Sequence, residues 1–244
     1  MNDGTREVSK PAPQMVDPAI LYLGTPVVLI GTQNEDGTPN LSPMSSAWWL
    51  GWGCMLGLNA SSKTVENLKR TGQCVLNAPS VDLVAHVDRI ALTTGSNPVP
   101  ANKVAMGFRY VADKFGLAQL TAVVGDTVKA PRAVECPVQM EAVVEQMNPF
   151  GATNPRIRTR MMAIEVRITR VHAHPDILVD GNPNRIDPDK WKPLIMSFRE
   201  FYGLGERVHH SRLAGFPEDK FRPPAQPYGT NPEPSHHQLP EPLK

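Results

Sequence analysis

The sequence predicts a mainly β chain, a small barrel of antiparallel strands with short helices inserted between them. Three observations carry this expectation. Runs of β-branched and other apolar residues recur between turn signals from position 26 to about 173. The two longest runs alternate with the period of two that marks a half-buried strand. Segments with helical spacing are short and fall between those runs.

Taken in order, "PVVLIGTQ" (26–33) is the first strand. "NEDGTPN" follows and carries Asp36-Gly37, a hairpin turn signal. "LSPMSSAWWLG" (41–51) resumes as one strand, and Pro43 inside it marks an edge or a bulge. "CMLGLN" (54–59) is the next strand. A polar loop then runs into a helix from about Lys63 to Thr71, which stops at Gly72. "CVLNAP" returns to strand. Residues 81–117 read as helical or irregular: "VDLVAHVDRIAL" has helical spacing and "NKVAMGF" forms a second short helix. "TAVVGDTV", "CPVQMEAVVEQM" and "RMMAIEVRITRVHAH" complete the strands. Val138, Met140, Ala142 and Val144 share one face, and Gln139, Glu141, Val143 and Glu145 the other. Five to seven strands result, with no internal repeat.

The ends differ from this middle. Residues 1–17 are polar, contain two prolines and read as an arm. Residues 18–200 form the barrel domain, and 201–244 an extension. From Pro217 to Lys244, eight of 28 residues are proline, which excludes a helix interior or a central strand.

Composition excludes several functions. The 244 residues carry 25 basic and 24 acidic side chains, a net charge of +1. Bulk charge therefore attracts neither nucleic acid nor an anionic membrane. No apolar run approaches a membrane span, and "MNDGTREVSKPAPQ" lacks the apolar segment of a secretory signal. Cys54, Cys74 and Cys136 fit neither a disulfide framework nor a zinc-ligand pair. The expected compartment is a reducing cytoplasm.

The stretch most suggestive of chemistry is "NASSKTVENLKRTGQCVLN" (59–77). The first turn of a helix has backbone N–H groups without internal partners, and its dipole favours negative charge. Hydroxyls of Ser61, Ser62 and Thr64 and the Lys63 ammonium add donors and charge suited to a phosphate monoester. The plainer reading is an ordinary N-cap. The glycines of a P-loop or a dinucleotide fingerprint are absent, which leaves single-phosphate ligands such as FMN, pyridoxal phosphate or sugar phosphates.

The ordered set "GTPNLSPMSS", "LGLNASSKTVENLKRTGQCVLN", "KAPRAVECPVQMEAVV" and "AIEVRITRVHAHPDIL" with "RIDPDKWKPL" resembles the flavin reductase-like family of FMN-binding split barrels over residues 20–200. The resemblance implies FMN bound at a homodimer interface. It sets Asn40, Leu41, Ser42, Pro43, Met44, Ser45 and Ser46 beside the isoalloxazine ring. It gives the ribityl chain and phosphate to Asn59, Ala60, Ser61, Ser62, Lys63 and Thr64. It implies NADH or NADPH as electron donor, flavin or a small substrate as acceptor, and a monooxygenase or redox protein as possible partner. No side chain is required as acid or base, so no catalytic residue is assigned. A non-catalytic FMN electron carrier, a flavoprotein oxygenase and a barrel that has lost its cofactor are the alternatives.

Other candidates have plainer roles. Trp48, Trp49 and Trp52 suit core or dimer packing as well as stacking on a flavin or nicotinamide. Phe201, Tyr202 and His209 are candidates to cover the flavin. His172 and His174 face one side of a strand, but no third metal ligand is evident, so no metal is expected. His86 reads as a satisfied core residue, and Cys54 and Cys74 as small hydrophobes. Glu135, Glu141 and Glu145 are too regularly spaced for a paired-carboxylate site. "RIRTR" (156–160) reads as a solvated loop.

Overall fold

The computed structural model describes residues 12–157 and 160–221. The Pro-rich tail from 222, most of the expected arm and two residues of the "RIRTR" run lie outside the described residues.

The first predicted strand is two. β1 (Leu23–Pro26) and β2 (Val28–Gln33) are separated at Val27. β2 is buried from Val28 to Thr32 because both its faces are covered. Val28 and Ile30 point into the barrel, while Val27 and Leu29 pack under the later helical insertion. The Asp36-Gly37 turn forms as expected. The Asp36 carboxylate accepts from Thr38 N–H (3.0 Å) and the Thr38 hydroxyl (2.6 Å), and Gly37 takes φ +84°.

The predicted strand 41–51 is also two, β3 (Pro39–Met44) and β4 (Ala47–Leu50), broken at Ser45-Ser46. β5 (Gly53–Asn59) pairs with β4, and α1 (Lys63–Thr71) follows with the predicted bounds. Ser62 caps α1, its Oγ accepting from Val65 N–H at 3.2 Å, and Gly72 ends it at φ 63°. β6 (Gln73–Ala78) returns to the sheet.

The insertion comes next. It holds α2 (Val84–Arg89), β7 (Thr93–Thr94), α3 (Ala101–Val104), β8 (Arg109–Tyr110), α4 (Lys114–Ala118), β9 (Ala122–Val124) and β10 (Pro131–Ala133). Two 13-residue strands follow, β11 (Val138–Phe150) and β12 (Met161–Ala173). The described chain ends in β13 (Leu178–Val179), β14 (Asn182–Ile186), β15 (Leu194–Ser197), β16 (Glu200–Gly203) and short 3-10 turns.

The principal sheet has seven strands in the order β3-β2-β6-β11-β12-β5-β4, every neighbouring pair antiparallel. Its two edge strands, β3 and β4, are consecutive in the chain and joined by Ser45-Ser46 alone. The sheet must therefore curl until its edges lie side by side without forming a ladder, which is a barrel with a split. Pro43 sits on an edge, where its missing N–H breaks no pairing on the outer side. Inside, Val28, Ile30, Leu56, Leu76, Ile164 and Val166 form the core, and α1 plugs it with Val65 and Leu68. Outside β2 and β3, the insertion packs Val87, Ile90, Phe115 and Ala118 onto Leu29 and Leu41.

Candidate functional site

The two segments singled out in the sequence meet at the split. Ser42 to Ser46 form a partly exposed strip along it. At one end Ser46 lies against β5: its carbonyl accepts from Gly57 N–H at 2.7 Å, two residues before Asn59. At the other end Asn40 is buried at 2% exposure, and its amide donates to Thr32 Oγ1 at 3.0 Å. The same hydroxyl accepts from Asn67 of α1 at 3.1 Å, and Asn67 also donates to Asn34 at 2.9 Å. A buried polar cluster thus fixes α1 against β2 and β3.

The 59–64 loop is held by its own side chains. Asn59 Oδ1 accepts from the N–H (2.9 Å) and hydroxyl (2.8 Å) of Ser61, and Asn59 O accepts from Ser62 N–H at 3.0 Å. Ala60 N–H donates to Arg160 O at 2.9 Å, tying the loop to the start of β12. Ser62 Oγ is used on Val65. The N–H groups of Lys63 and Thr64 find no acceptor in the described chain. The Lys63 ammonium bonds Glu66 at 2.6 Å, and Thr64 is buried. Donors without partners beside a lysine at a helix start are the chemistry of an anion site.

A third wall was not apparent from sequence. Gly95 packs so closely that an added Cβ would lie 2.7 Å from Asn40 Oδ1 and 3.0 Å from Lys63 Cγ. The insertion therefore joins the site through the Thr94–Ser96 loop. Thr94 Oγ1 accepts from Lys103 Nζ at 3.2 Å, and that ammonium lies 5.7 Å from the Phe108 ring. Lys114, at 3% exposure, stands on α4 under the same insertion; burial, then the charge of Lys103, pushes its pKa down to about 8. Burial also lowers that of Lys103.

The other candidates resolve individually. Trp49 packs against the barrel core, whereas Trp48 and Trp52 are exposed. Phe201 packs under the insertion; Tyr202 and His209 are exposed. His86 Nδ1 bonds Ala118 O at 2.8 Å, pinning α2 to α4. All three thiols are buried and free, and burial pushes Cys54 and Cys74 up to about 12. His172 and His174 engage different groups, Glu141 Oε1 (2.7 Å) and Val134 O (2.8 Å).

Glu141 is the larger departure: fully buried, it accepts from Asp126 N–H (2.8 Å), Thr127 N–H (2.5 Å), the Thr127 hydroxyl (2.6 Å) and His172. Burial raises its pKa, and the hydrogen bonds together outweigh that and hold it below the ordinary value. Asp126, Glu141 and His172 bring ligand atoms within 4.8 Å of one another. Arg132 and Arg170 already pair with Asp126, so the group reads as an ion network rather than a metal centre.

Two shallow hollows lie elsewhere, about 240 Å³ beside Arg70 and Lys129 and about 320 Å³ between β14 and residues 214–218. Neither borders the split.

A split barrel with a capped helix start near its seam defines the class. The family model for the flavin reductase like domain matches residues 21–205, and the chain belongs to that family. It is 39% identical over 193 residues to the uncharacterized protein YdfE of Bacillus subtilis, covering 79% of this chain and 90% of that one. Among solved structures it is similar to flavoredoxin of Desulfovibrio vulgaris (Miyazaki F): TM-score 0.68, 23% identity, 84% of this chain and 100% of that one. Nitrilotriacetate monooxygenase component B of Bacillus cereus superposes with TM-score 0.63 at 19% identity, over 82% of this chain and 100% of that one. These likenesses are of fold. Family membership ties the chain to flavin-linked redox chemistry. Among the described residues no helix is long and apolar enough to cross a membrane.

Proposed function

We propose that the chain binds FMN along the split and uses NADH or NADPH to reduce flavin or a small substrate, as a cytoplasmic homodimer. The carrying observation is the pair of unpartnered N–H groups at Lys63 and Thr64, at a helix start whose Lys63 side chain packs against Gly95. In this reading Ser61, Ser62, Lys63 and Thr64 hold the phosphate. Asn59 and Ala60 shape the loop, and Asn40 positions it from beneath. Ser42, Pro43, Met44, Ser45 and Ser46 border the ring with backbone and hydroxyl donors. The flavin, when bound, supplies hydride acceptance and onward electron transfer. The protein's part is to orient the ring, keep one face open and stabilise negative charge at its polar edge.

The seam is open in one protomer, and Trp48, Leu50 and Trp52 stand exposed beside it at 57%, 78% and 43%. A second copy covering those residues would wall the site and bury the apolar surface. Residues 18–200 serve as the flavin domain, with 1–17 an arm and 201–244 an extension. A monooxygenase component is the partner class that such a reductase would feed.

Purification followed by chromatographic identification of the released flavin, then anaerobic absorbance with each nicotinamide, tests the reading. The expected result is FMN, bleached by NADH or NADPH. A colourless protein with no FMN affinity refutes it. A tightly held flavin that neither nucleotide reduces marks an electron carrier.

A further inference from the structure

Within the 59–64 loop only Lys63 carries a full positive charge, and that charge is already engaged. Its ammonium bonds Glu66 Oε1 at 2.6 Å, three residues further along α1. Pairs at this spacing are common on helix surfaces and contribute little to stability. Three features set this one apart. First, the lysine is not a free surface chain. Its side chain is 22% exposed against 59% for Glu66, and its stem packs against the insertion: a Cβ added at Gly95 would lie 3.0 Å from Lys63 Cγ and 3.4 Å from Lys63 Cβ. With the stem held there, only the outer part of the side chain can change partner. Second, the N–H groups of Lys63 and Thr64 at the same helix start find no acceptor in the described chain. Third, the Glu66 carboxylate makes no other hydrogen bond among the described residues, so giving up the lysine costs it a single bond. Lys63 thus brings an open N–H and an ammonium to one end of the helix, while a carboxylate of the same chain holds the ammonium. A phosphate monoester accepting from the open N–H groups draws on that same ammonium, and it meets the negative charge of Glu66 within the first turn.

We propose that Glu66 competes with the ligand phosphate for the Lys63 ammonium and so loosens the protein's hold on FMN. This rests on the flavin reading above and adds to it a residue that opposes binding. Riboflavin, which lacks the phosphate, is indifferent to the competition. So is FMN once Lys63 has no ammonium to contest. The consequence is exchange: a flavin held against an internal competitor is released more readily, which suits a protein that hands reduced flavin on rather than one that keeps it as a fixed group.

The test compares wild type, Glu66→Gln, Lys63→Met and the double variant. After any bound flavin is removed, FMN and riboflavin are titrated into each by fluorescence quenching at low salt. Glu66→Gln is expected to bind FMN about threefold tighter or more, the scale of an exposed ion pair, with riboflavin affinity within about 1.5-fold of wild type. In the Lys63→Met background the same substitution should leave FMN affinity unchanged within about 1.5-fold. Unchanged FMN affinity in Glu66→Gln overturns the proposal. Weaker FMN overturns it too, because Glu66 then orients the lysine toward the phosphate. So does an equal gain for riboflavin, or a gain that persists in the double variant, since the carboxylate would then act without the ammonium. If neither flavin binds wild type, the flavin reading falls, and inorganic phosphate followed by thermal unfolding decides the competition by itself. A larger rise in Tm for Glu66→Gln than for wild type, with no such difference between the double variant and Lys63→Met, keeps it; equal rises overturn it.

Discussion

Lys114 offers the sharpest test of the energetics. An ammonium pushed from 10.5 to about 8 by burial destabilises the fold wherever it is charged in both states. The 2.5-unit difference corresponds to about 3 kcal/mol at 1.36 kcal/mol per unit. The sign is fixed by which state holds the proton. Between pH 8 and 10.5 the unfolded chain binds more protons than the folded one, so stability rises with pH across that window and falls back as pH drops through 8. Below it the penalty is complete.

Lys114→Met removes the charge and keeps most of the stem volume. Urea unfolding of both proteins at pH 7, 8, 9 and 10 isolates the effect, since other titrating groups cancel in the difference. The variant is expected to be more stable by about 3 kcal/mol at pH 7, with the advantage shrinking steadily toward pH 10. A pH-independent difference, or a variant less stable than wild type at pH 7, would show that the ammonium is already paired and would refute the reasoning.

Three other outcomes follow from the same geometry. Lys63→Ala combined with Thr64→Ala should weaken FMN at least tenfold in a fluorescence titration, since a charge-assisted hydrogen bond is worth roughly 1.5–3 kcal/mol. Gly95→Ala drives a methyl to 2.7 Å from Asn40 Oδ1 and 3.0 Å from Lys63 Cγ, so the loop must retreat, and flavin retention on gel filtration should fall. Glu141→Gln puts an amide donor among the N–H groups of Asp126 and Thr127 and should cost about 3 kcal/mol in urea unfolding at pH 7. Because the Glu141 carboxyl is held below its ordinary value, wild type keeps that stability above about pH 4.5 and loses it as acid protonates the group. The variant's unfolding free energy should therefore fall less steeply below that pH.

The parts of the fold visible in the sequence are those decided locally. Ser62 and Gly72 delimit α1 because a side-chain cap and a left-handed residue act within one turn. Asp36-Gly37 makes its turn for the same reason. Pro43 marks an edge because it has no N–H to give. What escaped detection depends on distant packing. Residues 41–51 look like one strand, and only the closure of seven strands decides that the chain must cross from one sheet edge to the other at Ser45-Ser46. Glu141 alternates with core residues and would face water, but the β9–β10 hairpin, 8 to 19 residues earlier in the chain by the bounds of β9 and β10, covers that face and supplies the Asp126 and Thr127 donors. Lys114 follows the N-cap Asp113, and a lysine next to a charged cap reads as exposed; only the packing of Phe115 and Ala118 onto the outer sheet takes it under with α4.

The position of the site follows from the same closure. A sheet whose first and last strands are neighbours in sequence must leave a seam, and backbone groups on a seam are not consumed by a ladder. In the proposed reading the groups of residues 42–45 that β2 does not take face the ligand, while Ser46 O is held by Gly57. β5 pairs with β4 and leads directly into the 59–64 loop, so barrel closure brings that loop close to the seam. The insertion then reaches the opposite side through Gly95, whose lack of a side chain permits contact with both Asn40 and Lys63. Each wall of the proposed site thus comes from a different level of organisation: the strip from barrel closure, the 59–64 loop from local capping chemistry, and the Gly95 contact from packing of the insertion. The last two touch, which predicts coupled losses: the FMN affinity lost in the Gly95→Ala, Lys63→Ala double variant should depart from the sum of the single effects by more than about 0.5 kcal/mol. Additivity within that margin would mean that the insertion does not bear on the loop, and the account of the third wall would fail.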